Sequence, residues 1–543
     1  MAVSKDTPKG TENTSASQKT YEFDDLLELV GGFGRYTAFL YAFMCMLSVP
    51  TGAQNLIQVF YGATPDFQCV QHLSRDNNTC GLNQCCLNCS GYQFRDTFTS
   101  AVTEWNLVCD RSHLKAMTQA VYMAGLLVGS VAFSIISDKF GRRISVFVSI
   151  LLLFVCGISS GFADCLSLFT LLRFFAGMAN AGCLLARYVY CMELVTTKHR
   201  TAAGFLCNIF VSLGFTTLSL LAYLIRDWRY LMLAVTLPAA PLVFFWRFIP
   251  ESPRWLIANN RFKEAHDILQ HFAVKNGVPL DYDHLGYVIR EAKRSELQKE
   301  IQKKPGLLDL VKTTKLRRRT IICTFNWFVN AVVFFGINLN VKNLGGDLYL
   351  NFFILCIIEL PGALMCWYLL GRFGRRLPYC SFEIIGGVAC MLVLAFPTTE
   401  AYRPVITTLA MIGRLCVGNN FMAVYVFTVE LYPTVIRNVG LGVASMMARA
   451  GGILAPYFVL LADLPQIDRT LPLVIFGVLG IAAGLVALWL PETLFSPMPQ
   501  TLEQVETWPE DYKIYCCQSL QQRMKHSNND QDGEAELSML HDA

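Results

Sequence analysis

The sequence predicts an all-α membrane protein in which twelve transmembrane helices form two six-helix bundles. Three observations carry that prediction: the composition, the spacing of apolar windows and an internal repeat. The chain has 543 residues, 53% of them hydrophobic and only 16% charged, with a mean hydropathy of +0.39. A soluble protein is about 45–50% apolar and about 25% charged, so the charge here is too sparse to coat a globule of this size. The charged residues also avoid a dozen long stretches, which excludes a soluble enzyme. The net charge of +4 says nothing about partners, because the charges sort by membrane side. Nucleic-acid binding needs a clustered basic face, and the basic clusters here lie in short loops beside apolar spans.

Windows of about 20 apolar residues, enough to cross about 30 Å of hydrocarbon, recur along the chain. They fall near 36–61, 114–136, 144–163, 168–195, 203–225, 229–249, 320–340, 347–370, 377–397, 403–429, 439–462 and 471–490. The first 25 residues are Ser/Thr/Lys-rich and lack the apolar region of a cleavable signal peptide, and residues 1–30 read as a tail. The first bundle then occupies 31–250, a charged linker 251–319, the second bundle 320–493, and a polar tail 494–543. The basic clusters Lys139/Arg142/Arg143, Lys198/Arg200, the linker, Arg372/Arg375/Arg376 and Arg437 all fall on one side. The positive-inside rule makes that side cytoplasmic, with both termini inside. Arg226, Arg229 and Arg403 are the exceptions on the other side.

The loop 62–112 is then extracellular, and its composition agrees. It carries Cys69, Cys80, Cys85, Cys86, Cys89 and Cys109, with glycosylation sequons at Asn77 and Asn88. Six cysteines in an oxidising compartment read as three disulfides of unassigned connectivity. A zinc site is the rival reading, and it lacks a clean pair of Cys-x-x-Cys knuckles. The other fourteen cysteines are expected to pack as small apolar residues.

The repeat decides the architecture. Asp138-Lys139-Phe140-Gly141-Arg142-Arg143 recurs as Gly371-Arg372-Phe373-Gly374-Arg375-Arg376; Glu193 and Arg200 recur as Glu430 and Arg437; Pro250-Glu251-Ser252 recurs as Pro491-Glu492-Thr493. The offsets are 233, 237 and 241 residues. Three ordered matches at nearly constant offset mean two related six-span halves in parallel orientation, a transporter architecture. The acids and arginines at these helix ends form a candidate latch, expected to pair across the bundles and hold one face shut. For any single arginine, mere topology is the plainer reading; for the repeated set, gating is favoured.

These motifs resemble the major facilitator superfamily, and within it the organic cation, anion and zwitterion transporter family. The resemblance rests on the Cys-rich loop after span 1, Thr103-Glu104-Trp105-Asn106-Leu107-Val108-Cys109, Ser137 to Arg143, Pro250-Glu251-Ser252-Pro253-Arg254-Trp255-Leu256, and Glu430-Leu431-Tyr432-Pro433-Thr434 followed by Arg437-Asn438. It spans about 25 to 495. Two positions depart from the superfamily pattern: Ser134 stands where a Gly is usual, and Gly371 replaces the Asp of the second motif copy. Leu344-Gly345-Gly346 and Ser445-Met446-Met447-Ala448-Arg449 are more similar to the carnitine-type carriers than to the cation carriers. No Gly-Lys-Ser/Thr occurs, so ATP-driven pumping has no support.

A charge at mid-bilayer costs about 2.5–3.5 kcal/mol on insertion scales, so each one demands a reason. Arg449 lies about ten residues into span 11. The resemblance implies an acid at this position in cation carriers and a base in anion and carnitine-type carriers. A guanidinium there can clamp a carboxylate bidentately. Arg414 in span 10 has a candidate partner in Glu359 of span 8. Arg187 in span 4 sits beside Tyr188, which matches a pocket tyrosine of the cation carriers. Glu383 in span 9 is expected to snorkel or pair. Trp327, Phe334 and Phe335 in span 7 and Tyr425 in span 10 are candidates for an aromatic box, since Trp327 and Phe334 share a helical face and rings attract quaternary ammonium groups.

The expectation is a plasma-membrane carrier of small zwitterions such as carnitine or a betaine, working by alternating access without covalent chemistry. An organic anion exchanger, an organic cation uniporter and a non-transporting receptor are the alternatives. Its partners are the small organic ion and the lipid bilayer, with a monomeric transport unit. It needs no cofactor or metal, and a coupling ion such as Na⁺ or H⁺ is left open.

Overall fold

The computed structural model describes residues 23–507, apart from 73–81, 84, 86–88, 96, 301–305, 345, 398, 434, 464–469, 495–498, 500 and 501. Among the described residues, ten helices are long and apolar enough to cross a membrane: Arg35–Tyr61, Cys109–Phe140, Arg142–Gly161, Leu166–Glu193, Ala202–Leu224, Thr314–Lys342, Leu348–Phe373, Arg376–Ala395, Glu400–Leu431 and Arg437–Leu460. They correspond to spans 1–5 and 7–11. Span 12 is the shorter apolar helix Leu471–Ala487. Span 6 is broken into Trp228–Thr236, Leu237–Ala239, Ala240–Phe244 and Phe245–Phe248. Its breaks fall at Pro238 and Pro241, which lack the backbone N–H that a continuous helix would donate.

Two short antiparallel strands, β1 (Phe67–His72) and β2 (Cys89–Phe94), cross the loop after span 1, with Cys69 opposite Tyr92. Disulfides join Cys69 to Cys89 and Cys85 to Cys109, so one ties the strands together and the other ties the loop to the start of span 2. Cys80, Cys86, Asn77 and Asn88 lie outside the described residues. Glu104 anchors this loop to the bundle: it accepts from Trp228 Nε1 at 3.0 Å and from Arg229 Nε at 3.2 Å. Arg229 also donates to the carbonyls of Gly161 and Ala163, 2.6 and 2.7 Å away. That accounts for one exception to the charge rule: the arginine is committed to an acid and two helix-end carbonyls.

Spans 2 and 4 pack backbone to backbone, because Gly125, Gly129 and Gly177 leave room where any β-carbon would overlap a carbonyl of the facing helix. The linker is no loose tether. Its helices Pro253–Ala258, Phe262–Asn276 and Tyr282–Glu300 share a buried core with the first bundle, Leu256, Leu269, Phe272 and Ile289 joining Tyr190 and Leu194. Asn276 accepts from the Tyr36 N–H at 3.1 Å and donates to the Val30 carbonyl at 3.1 Å, fixing the start of span 1.

At the Cys-rich loop end the bundles meet through aromatic rings. Phe60 stacks on Tyr349 at 5.6 Å and meets Phe352 edge-on at 5.0 Å. Arg226 lies 4.2 Å from the Tyr349 ring centroid, which accounts for a second exception to the charge rule.

Candidate substrate site and gating motifs

At the opposite end, the repeated motifs build two matching charge clusters. Gly141 has φ +106° and Gly374 has φ +93°, a left-handed conformation that glycine adopts without penalty. A β-carbon at Gly141 would also overlap the Glu251 carboxylate, and one at Gly374 the Glu492 carboxylate. Each turn thereby presents the first N–H groups of the following helix to an acid. Glu251 Oε1 accepts from the N–H groups of Arg142 and Arg143 at 2.9 and 3.1 Å. Glu492 accepts from those of Arg375 and Arg376 at 2.8 and 3.1 Å. An anion at a helix N-terminus is stabilised by the orphan donors and the helix dipole. Burial nonetheless pushes the Glu251 carboxyl above the usual range, against the pull of its N–H donors.

The arginine side chains close each cluster. Arg142 Nε and Nη2 both lie 3.2 Å from Glu193 Oε1, and Nη1 donates to Asp138 at 2.6 Å. Arg375 Nη2 lies 3.0 Å from Glu430 Oε1. Where Asp138 is replaced by Gly371, Arg375 Nη1 donates to the Leu370 carbonyl at 3.0 Å instead. Arg143 stacks over Trp246 at 4.7 Å, and Arg376 donates to the Leu488 carbonyl. Arg437 interacts electrostatically with Glu430; the Arg200 side chain lies outside the described residues.

The expected direction of the pairing is corrected here. The ion pairs of Arg142 and Arg375 close within each bundle and not between bundles. The reason is geometric: the start of span 3, the end of span 4 and the exit of span 6 converge in the same six-helix unit, as do their counterparts in the second half. Glu251 and Glu492, which mark the repeat in the sequence, cap both clusters. Their signal was their fixed place one residue after the proline in both halves.

Nearer the middle of the membrane, Arg414 Nη2 lies 2.9 Å from Glu359 Oε2, the partner expected from sequence. Its guanidinium sits 4.0 Å from the Phe334 ring centroid, so an internal cation occupies one face of that ring. Trp327 is fully buried, donates to Thr428 Oγ1 at 2.9 Å and meets Tyr425 edge-on at 4.4 Å. Phe334 and Phe335 contact each other at 5.2 Å, and Phe421 packs against both Trp327 and Phe334. Of the two expectations for Glu383, snorkelling is not met: it is fully buried beside the amides of Asn330 and Asn420. The helix carries it too deep into the bundle to reach an interface.

Two partly exposed tyrosines, one from each bundle, lie near each other. Tyr188 of span 4 is 42% exposed and Tyr425 of span 10 is 37% exposed, and the two interact electrostatically. Arg449 belongs to the same region. Span 11 abuts span 2 at Gly452, where a β-carbon would meet Met123 Sδ at 3.1 Å and the Phe335 ring at 3.5 Å. Arg449 lies three residues earlier and so shares that face. It is partly exposed, and Nη1 donates to the Ser445 carbonyl and hydroxyl at 3.2 and 2.7 Å. Among the described residues no acid pairs with it, and the other donors of its planar fork remain available. Arg187, by contrast, is 2% exposed and turned into the first bundle.

Sequence reasoning passed over Arg173, also in span 4. It is 1% exposed, donates to Gln54 Oε1 at 2.8 Å and stacks over Tyr122 at 4.2 Å. Asn180 then donates to Tyr122 Oη at 2.7 Å. A charge eight residues into an apolar span was the available signal.

Comparison with known proteins agrees with this geometry. The sugar (and other) transporter family matches residues 35–506. The chain is 36% identical over 524 residues to the organic cation transporter protein of Drosophila melanogaster, covering 90% of this chain and 95% of that one. It is 31% identical over 539 residues to the human organic cation/carnitine transporter 2, covering 89% and 94%. Among solved structures, the inward-open xylose transporter XylE from E. coli is similar with a TM-score of 0.62 at 16% identity, covering 87% of this chain and 100% of that one. That likeness shows the major facilitator fold. The chain belongs to the sugar (and other) transporter family, and within the major facilitator superfamily to its organic cation, anion and zwitterion transporters.

Proposed function

We propose that this transporter carries small organic zwitterions, each bearing a carboxylate and a cationic head group, by alternating access between its two bundles. The observation that carries the reading is Arg449: an intramembrane guanidinium at the bundle interface, hydrogen-bonded among the described residues only to Ser445. In a poorly screened cavity such a fork favours a carboxylate strongly. The half-exposed rings of Tyr188 and Tyr425 supply faces for the cationic group. The protein works in the plasma membrane as a monomer, with both termini cytoplasmic and the loop 62–112 glycosylated outside at Asn77 and Asn88. Its charge clusters hold the helix ends of each bundle rigid, so that the bundles rock as units.

Uptake in expressing cells, competed by carnitine, by tetraethylammonium and by a hydrophobic carboxylate, tests the proposal. Strong competition by carnitine alone supports it. A second reading, organic cation transport, is favoured by the organic cation transporters among its relatives. Competition by tetraethylammonium with no effect of carnitine would establish that reading in place of the first.

A further inference from the structure

Three cysteines from three different spans meet inside the first bundle. Cys45 of span 1, Cys191 of span 4 and Cys207 of span 5 are all 0–1% exposed. Their sulfurs lie within 4.8 Å of one another, and Cys45 and Cys207 are 3.5 Å apart. Tyr41 borders the group. It donates its hydroxyl proton to the Ala203 carbonyl at 2.6 Å and lies 3.1 Å from Cys207 Sγ.

The second observation is Arg187. It precedes Cys191 by one helical turn and interacts electrostatically with both Cys191 and Cys207. Among the described residues, its Nε and Nη1 are buried without a hydrogen-bond partner. A buried cation without a counter-charge is costly, and three neutral thiols do not offset it. Three thiolates would.

We propose that Cys45, Cys191 and Cys207 form a trigonal three-thiolate site for a soft monovalent metal ion of the Cu(I) class, with Arg187 offsetting its negative charge. Metal–sulfur bonds of about 2.3 Å place three sulfurs about 4 Å apart in a trigonal plane, a spacing the present cluster nearly has. Zn(II) in structural sites takes four ligands in a tetrahedron, and the cluster offers three sulfurs. Soft thiolates select Cu(I). On binding, three S–H bonds break and release three protons to water as three metal–sulfur bonds form, with no change of oxidation state. The site carries a net charge of −2 before Arg187 is counted. An occupied site would cross-link spans 1, 4 and 5 immediately beside Tyr188.

The test is anaerobic titration of the purified full-length protein with Cu(I) against a chromophoric Cu(I) chelator, followed by X-ray absorption of the loaded protein. One ion per chain with a shell of three sulfurs is expected. Cys45→Ser, Cys191→Ser and Cys207→Ser should each weaken binding by more than the ~10–100-fold typical of outer-shell partners, and Arg187→Gln by about that amount. Cys183→Ser, whose thiol bonds Ser149 at 3.3 Å, should leave binding unchanged. Retention of the ion by the triple serine variant would overturn the proposal. So would a nitrogen- or oxygen-dominated shell in the wild-type protein, a measurement that needs no variant to fold.

Discussion

Arg414 and Glu359 form an ion pair of 2.9 Å between side chains 0% and 6% exposed, and the Phe334 ring covers the guanidinium at 4.0 Å. The pair joins spans 10 and 8 inside the second bundle. Glu359→Gln strands the arginine in a dry interior, where breaking a buried pair costs about 3–5 kcal/mol. The expected outcome is a large fall in the thermal midpoint of the detergent-solubilised protein. Replacing both residues with apolar ones of similar volume should recover much of it. Equal instability of the single and double variants would show that the pair does not act as a unit.

Charge selection at the bundle interface should follow Arg449. Arg449→Asp turns attraction for a carboxylate into repulsion, and zwitterion uptake efficiency should fall at least about 100-fold, each tenfold being about 1.4 kcal/mol. Arg449→Lys should also impair uptake, because an ammonium lacks the planar fork. Uptake per surface-biotinylated transporter is the measurement. Unchanged zwitterion uptake in Arg449→Asp would make the residue structural.

The two acids around Arg142 should differ. Asp138 is 71% exposed and Glu193 10% exposed, and an exposed pair contributes about 0–1 kcal/mol. Glu193→Gln should therefore lower maximal uptake much more than Asp138→Asn, with little change in apparent affinity, since both acids are committed to Arg142 at the helix ends. Initial-rate kinetics distinguish the two. A large affinity loss in either variant would place that acid in the substrate path.

The disulfides should be intact in surface protein. Each closes a loop with a sequence separation of 20 or 24 residues, and losing one native bridge typically costs about 2–5 kcal/mol. Cys85→Ser and Cys69→Ser should both reduce mature surface protein. An impermeant maleimide should label almost no free thiol in 62–112 of the wild type, and stoichiometric labelling there would count against the bridges.

The sequence by itself determined the apolar spans, the two-fold repeat and the cysteine-rich character of the loop after span 1. These depend on local composition and on offsets along the chain, such as Gly141 and Gly374 at equivalent places. It also reached the Arg414–Glu359 pair, because two opposite charges in apolar spans have few partners to choose from. The tertiary structure alone decided which charges meet across sequence. Arg142 turned to Glu193 and Glu251 within its own bundle because three helix ends converge there, a fact of packing that no spacing encodes. Burial was equally illegible: Arg187 and Tyr188 are adjacent in one apolar span, but helix rotation buries the first and leaves the second partly exposed, as it buries Trp327 and leaves Tyr425 partly exposed. The gathering of Cys45, Cys191 and Cys207 follows for the same reason, since residues up to 162 positions apart become neighbours only when spans 1, 4 and 5 pack.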